Sequence, residues 1–423
     1  MKVAFFVHRF PVISEAFIAN AAAGLIDQGH SVDIYALDGR ADPAAERHAL
    51  VQRYRLEDRT RAFRLAESPR RSLALAPLSA LRLVASHGLA AGSALDAECF
   101  GPERVGLRAL HEASLFRNGG KYDILHCHFG TLAEAVLDHR RAGFLTGRVV
   151  VHFRGYDISK FVQDKGERAY ERVFRDADAF IANCRFFRDR AISLGAPESR
   201  THVVASGVAL DRFPFAARAW EPGEQLRLLA VGRLVEKKGF RFAIDALARL
   251  VADGVDARLC IVGDGPLRQA LESQAGGLLI GERVTFAGAT SHERIAQLLD
   301  ASHILLAPST TAANGDRDAS INTLKEAMAT GCPFVTSNHG GIPELVEGVD
   351  AGVMTEEGDA EALAVGVRCL IARRREWPEM GRRGREHVVS RYAIEPVTTE
   401  TLRVYRQTLS TRLTHEQSRR VVS

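Results

Sequence analysis

Residues 2–36, KVAFFVHRFPVISEAFIANAAAGLIDQGHSVDIYA, hold two apolar runs on either side of a helix-length segment. The run from Val3 to Val7 reads as a buried strand. After a loop through Arg9, Phe10 and Pro11, a helix from about Ser14 sets Phe17, Ile18, Ala21 and Leu25 on an apolar face, and Gly29 ends it. Val32 to Ala36 is the next strand. Strand, helix and strand in this order require a parallel crossover. The alternation continues with strands expected at 124–126, 149–153, 180–182 and 203–205, separated by helix-length segments. Pro214, Pro222 and Gly223 then mark a linker at 213–223. A second series follows, with strands expected at 226–231, 257–262, 284–286, 304–307 and 334–337 and helices near 240–251, 267–275, 292–299 and 322–329. The pattern is that of an α/β chain with two doubly wound parallel sheets. The expected division is 1–212, 213–388 and a helical segment, 389–423, that returns to the first domain.

Length supports two domains, because one hydrophobic core stops growing at roughly 250–300 residues and this chain has 423. With 46% hydrophobic and 26% charged residues, no disordered block is required. A formal charge of +4 is too weak to indicate nucleic acid. Cys99, Cys127, Cys184, Cys260, Cys332 and Cys369 form no Cys-x-x-Cys pair and no metal-like spacing. They read as reduced thiols. The apolar stretch at 73–95 is broken by Pro77, Arg82, His87, Gly88 and Gly92, and the first residues lack a basic leader. A cytoplasmic protein without a signal peptide or transmembrane helix is expected.

The chemistry concentrates at strand ends. Arg233 follows the first strand of the second domain, and Lys238 stands just before the next helix, so cations lie beside a helix start. Fixed cations and helix N-terminal amides are what a departing diphosphate needs. Asp318 and Glu326 are eight positions apart, or ~80° on a continuous helix. They converge only if Asp318 is loop, and the capping preferences of Asp318 and Ser320 support a helix that begins there. Asp316 and Asp318 also spell Asp-x-Asp, a pattern too short to indicate a metal. Gly263, Asp264 and Gly265 resemble a dinucleotide loop only in part, because Arg268 stands where its third small residue belongs.

Taken together, Gly232–Arg233–Leu234, Lys238–Gly239, Gly263–Asp264–Gly265–Pro266, Asp318 to Glu326, Ala327–Met328–Ala329–Thr330–Gly331 and Gly340–Gly341–Ile342–Pro343–Glu344 resemble the retaining GT-B glycosyltransferases of family 4. The resemblance implies a GT-B fold with two Rossmann-like domains facing a cleft. It implies a metal-independent donor site: Arg233 and Lys238 on the diphosphate, Asp318 at sugar hydroxyls, Glu326 at the ribose, with Gly263, Asp264, Gly265, Asn322 and Leu324 around them. It implies no cofactor beyond the nucleotide-diphosphate sugar itself, and retention of configuration. The family pair is usually Glu-x7-Glu, so Asp318 is one methylene shorter.

In the first domain Pro11, Ser14, Glu15, His128 and Asp157 resemble the acceptor side of the subgroup that makes exopolysaccharide and colanic-acid-like glycans. Arg154 stands where many relatives carry His, and strand periodicity puts His152 on the same face. Arg154 is expected to stabilise charge at the donor, with His152 orienting. The partners implied are a nucleotide-sugar donor and a glycan or lipid-linked acceptor, with no nucleic acid. The arginine-rich and leucine-interleaved residues 53–82 fit a peripheral contact with an anionic membrane as well as a solvated amphipathic helix. A small soluble acceptor, a nicotinamide-dependent oxidoreductase and a non-catalytic scaffold are the competing readings.

Overall fold

The computed structural model describes residues 1–12, 15–39, 49–63, 69–100, 107–318 and 321–420. The first domain contains β1 (Lys2–Val7), α1 (Ala16–Asp27), β2 (Ser31–Ala36), β3 (Thr60–Ala62), β4 (Lys121–Cys127), β5 (Thr146–Phe153), β6 (Ala179–Ala182) and β7 (Thr201–Val203). The second contains β8 (Leu226–Val231), α2 (Phe240–Ala252), β9 (Ala257–Val262), β10 (Val284–Gly288), β11 (Ile304–Ala307), α3 (Asn322–Thr330), β12 (Phe334–Ser337) and β13 (Gly352–Thr355). Two long helices close the chain, α4 (Trp377–Arg391) and α5 (Ile394–Arg420).

The strands form two sheets in the orders β3-β2-β1-β4-β5-β6-β7 and β10-β9-β8-β11-β12-β13. Neighbours pair in parallel, for example Val3 with Val32 and Ile124 on its two sides. Central strands are buried on both faces, which is why they read as unbroken apolar runs. Phe6, Leu125 and Val151 pack to one side of the first sheet and Phe5, Ile124 and Val150 to the other. Strand order reverses between β1 and β4 and again between β8 and β11. Such switch points open a crevice at the carboxyl ends of the strands, and the two crevices face each other.

The sheet edges depart from the sequence-based expectation. β3 and β13 were not predicted, and β7 lies two residues earlier than expected. All three are short strands at the edge of their sheet.

α5 leaves the second domain and packs on the first, with Leu402, Val404 and Tyr405 in the same core as Val3, Phe5 and Ile18. Gly24 makes this approach possible: a Cβ there would lie 2.1 Å from Thr398 Oγ1 and 2.8 Å from Ile394 Cγ2. The chain thus passes between domains twice, through 204–213 and 391–394. The two passages are joined by Val208 N–H donating to the Tyr392 carbonyl at 2.8 Å.

Among the described residues no helix is long and apolar enough to cross a membrane. The basic region at 53–82 is partly a helix, Pro69–His87, on which Leu78, Leu81 and Val84 are 47%, 67% and 54% exposed. Arg64, Leu65 and Glu67 of that region lie outside the described residues.

Candidate active site in the interdomain cleft

A cavity of about 530 Å³ lies between the two crevices, lined from the first domain by Phe17, Asn20, Arg154 and Ser206 and from the second by Arg233, Lys238, Asp318 and Glu326. Its size is within the range of small-molecule sites.

The loop after β8 builds the cationic wall. Gly239 adopts φ 64°, and a side chain there would strike the Pro308 carbonyl at 1.8 Å, so only glycine lets the turn into α2 pass this close. The turn brings up Lys238, whose Nζ lies 2.8 Å from Asp318 Oδ2, while Arg233 stays exposed at the mouth. Lys237, which the sequence reading passed over, is buried; its Nζ lies 3.0 Å from Asp316 and 3.6 Å from Asp318. The Asp-x-Asp carboxylates therefore share a lysine. Burial would raise the Asp318 pKa, but Lys238 and Lys237 outweigh it and hold the carboxyl at about 2. Ser309 Oγ donates to Asp318 Oδ2 at 2.9 Å, and the Asp318 N–H donates to His339 Nε2 at 3.0 Å. His339 in turn contacts Glu357 through Nδ1. His339 and Glu357 were also missed, because only the tertiary fold sets them beneath Asp318.

Asp318 precedes α3 and Glu326 lies within it, the arrangement their convergence required. The cap differs from expectation. Ile321 occupies the N-cap position without a side-chain hydrogen bond, because Asp318 is committed to Lys238 and Ser309; Ser320 lies outside the described residues. Asn322 and Thr323 at the helix start line the cavity with Glu326. Burial pushes the Glu326 carboxyl up to about 7 against the pull of Lys325 and Arg212. A carboxylate so placed is stabilised by hydroxyl donors. Leu324 corrects the sequence reading: it is fully buried in the second-domain core, because two helical steps turn it about 200° from both Asn322 and Glu326. Gly263 and Asp264 line the cavity, whereas the Gly265 N–H donates to Asp264 Oδ1 at 2.8 Å within the loop.

On the opposite wall Arg154 is held from every side. Its Nε donates to the His128 carbonyl (3.1 Å), Nη1 to Ser206 Oγ (3.1 Å), and Nη2 to His128 Nδ1 (2.9 Å) and His152 Nδ1 (3.2 Å). Its guanidinium lies 4.2 Å from the Phe17 ring centroid. His126 and His128 stack at 4.3 Å with ring planes 8° apart, and His126 Nδ1 is 2.5 Å from Tyr405 Oη of the returning α5. Burial drives the pKa of all three histidines well down, helped by the Arg154 charge. The Nδ1 atoms of His128 and His152 accept from Arg154. His126, His128 and His152 are close enough to ligate a metal ion, and the Nε2 atoms of all three are buried without a hydrogen-bond partner among the described residues. His152 and His128 thus orient Arg154, and with it they line a small cavity that adjoins the cleft and shares Phe17, Asn20 and Ser206 with it.

Asp157 also has a different place from the acceptor side. Its carboxylate is buried and accepts three backbone N–H groups, from Gly130 (2.8 Å), Arg154 (2.9 Å) and Gly155 (2.9 Å). It fixes the loop that carries Arg154. Glu15 lies within the electrostatic reach of His8, Arg154 and Arg233; burial raises its pKa, and Oε2 is buried without a hydrogen-bond partner. Pro11 is buried, and Ser14 lies outside the described residues.

Two facing Rossmann-like domains, with cations and carboxylates of one opposed to an anchored arginine of the other, are the architecture of GT-B glycosyltransferases. Residues 14–207 match the family described as glycosyl transferase 4-like domain, and residues 225–373 match glycosyl transferases group 1. The putative colanic acid biosynthesis glycosyltransferase WcaL of Salmonella typhimurium is 33% identical over 366 residues, 86% of this chain and 89% of its own. The amylovoran biosynthesis glycosyltransferase AmsK of Erwinia amylovora is 32% identical over 86% of this chain and 89% of its own. The chain belongs to glycosyltransferase family 4, in the subgroup of exopolysaccharide and colanic acid biosynthesis. The crystal structure of Anabaena HepE in complex with UDP and glucose superposes with a TM-score of 0.68 at 20% identity, covering 97% of this chain and 100% of HepE, and shares the fold.

Proposed function

We propose that the protein transfers a hexosyl group from a nucleoside-diphosphate sugar to a hydroxyl of a glycan or lipid-linked acceptor, with retention and without a metal ion. The observation that carries this is the single cavity in which Arg233, Lys238 and the α3 start lie beside Asp318 and Glu326 and across from Arg154. Arg233 and Lys238 would take the diphosphate, and Lys238 would then be shared between phosphate and Asp318. Glu326 would accept the ribose hydroxyls, and Asp318 those of the sugar. An unsatisfied hydroxyl in a closed cleft costs roughly 1–3 kcal/mol, so charged acceptors there select the donor.

As the glycosidic C–O bond breaks, charge builds on the diphosphate and is met by fixed cations and helix amides rather than by reorganising water. The acceptor oxygen forms its bond to the anomeric carbon from the same face, and its proton passes to the departing phosphate oxygen. Arg154, fixed by His128, His152 and Ser206, would stabilise this charge from the first domain. HepE was solved with UDP and glucose, which supports a nucleotide-sugar donor here. Such a donor is a cytoplasmic metabolite, so the site would work at the cytoplasmic side. The exposed Leu78, Leu81 and Val84 stripe supports peripheral contact with the membrane that carries a lipid-linked acceptor.

A panel of UDP- and GDP-sugars with extracted lipid-linked glycans in chelator tests the reading. Proton NMR of the product should show the donor's anomeric configuration. Inversion, or turnover only after metal is restored, would overturn it.

A further inference from the structure

A lysine outside the cavity ties the two domains together at the point where the chain passes between them. Lys325 lies on α3 one residue before Glu326, and its side chain is 0% exposed. Although α3 belongs to the second domain, Lys325 Nζ donates to the Ser206 carbonyl at 3.0 Å. The ammonium also lies 5.0 Å from the Tyr392 ring centroid and 3.4 Å from Asn322 Oδ1. Ser206 is on the outgoing passage between domains and Tyr392 on the returning one. The same two segments are linked by Val208 N–H to the Tyr392 carbonyl at 2.8 Å and by the parallel bridge between Val208 and Ala393. One amino group therefore grips both passages, the first by a hydrogen bond and the second through a ring face, although burial lowers its pKa to about 7.

A methionine or leucine would fill this volume at less cost, since a buried cation is unfavourable unless it is well paired. What the lysine adds is direction. Its N–H meets a carbonyl whose position depends on how the domains are set, and the ring of Tyr392 supplies a further, cation-favouring contact. The hydroxyl of the same Ser206 accepts from Arg154 at 3.1 Å. The helix that carries Glu326 and the loop that carries Arg154 are thus joined through one residue.

We propose that Lys325 is a positioning residue that fixes the setting of the two domains and, through Ser206, places Arg154 across from the donor cavity. The catalytic part of this rests on the nucleotide-sugar reading above.

Lys325→Met in the full chain tests it, with amide hydrogen exchange, calorimetry with UDP and GDP, and steady-state turnover on the donor the native enzyme uses. Exchange at 204–213 and 391–394 should rise together in the variant without nucleotide. Nucleotide Kd and donor KM should stay within about threefold while kcat falls at least about tenfold, the signature of a contact that matters only in the transition state. Tyr392→Leu removes the ring and leaves the carbonyl bond, and should give the same pattern more weakly; it carries the test if Lys325→Met does not fold. Native exchange at both passages, or kcat and affinity falling together, would overturn the proposal. If the native protein binds neither UDP nor GDP, the nucleotide-sugar reading falls, and with it the role in turnover, while exchange alone decides the domain setting.

Discussion

Asp157→Asn isolates the loop that presents Arg154. In the native protein Oδ1 accepts the N–H groups of Arg154 and Gly155, both at 2.9 Å, and Oδ2 accepts that of Gly130 at 2.8 Å. Asparagine keeps the first pair but turns an NH2 toward the Gly130 N–H, so one charge-assisted bond becomes a donor–donor contact. Losing such a bond costs about 1.5–3 kcal/mol. Part of this is recovered, because burial raises the Asp157 pKa and the ionised carboxylate is itself poorly solvated. A net loss of about 1–2 kcal/mol corresponds to a Tm lower by roughly 2–8 °C for a domain of this size. Turnover should suffer more than stability, since a shift of about 1 Å in a charge-stabilising group can cost on the order of 100-fold. UDP and GDP affinity should stay within about threefold, because the diphosphate elements stand on the other domain. Calorimetry, thermal unfolding and donor turnover on one preparation decide it. A variant with native Tm and native turnover would refute the role given to this carboxylate.

Three further outcomes are expected. The Asp318 carboxyl sits at about 2 against an ordinary 3.8, so its stabilisation is present above pH ~4 and is lost as pH falls toward 2, about 2 kcal/mol in all; Asp318→Asn should flatten that limb of a urea-unfolding series run from pH 6 to 3. Gly24→Ala places a methyl 2.1 Å from Thr398 Oγ1 and should lower stability by about 1–3 kcal/mol, with part regained in the Gly24→Ala/Thr398→Ala double variant by chemical denaturation. If the 67% exposed Leu81 meets a bilayer, Leu81→Asp should reduce co-sedimentation with anionic phospholipid vesicles at low salt by about tenfold; equal sedimentation would dismiss that face.

The four inner strands of the second sheet were legible to the residue, because Leu226–Val231, Ala257–Val262, Ile304–Ala307 and Phe334–Ser337 are parallel strands covered on both sides and carry continuous apolar runs. β3 and β13 escaped for the opposite reason. Thr-Arg-Ala and Gly-Val-Met-Thr are short outer strands with partly exposed side chains, and nothing in three or four residues separates them from loop. The split of Asp318 and Glu326 between loop and helix could be argued from helical angles alone. Lys237, Lys325, His339 and Tyr405 could not. Each gains its place from a partner distant in sequence: Asp316 for Lys237, Ser206 for Lys325, Asp318 for His339 and His126 for Tyr405. Leu324 and Asp157 were placed in the site by motif position, yet one side chain turns into a core and the other into backbone amides.

Isothermal calorimetry of UDP and GDP against the native protein and Arg233→Ala is the most direct test of a diphosphate held between Arg233, Lys238 and the start of α3. One of the two nucleotides should bind the native protein, and Arg233→Ala should weaken it by about tenfold or more, the loss of one charge-assisted contact. A folded native protein that gives no heat with either nucleotide, or an Arg233→Ala variant that binds as well as the native one, would contradict it.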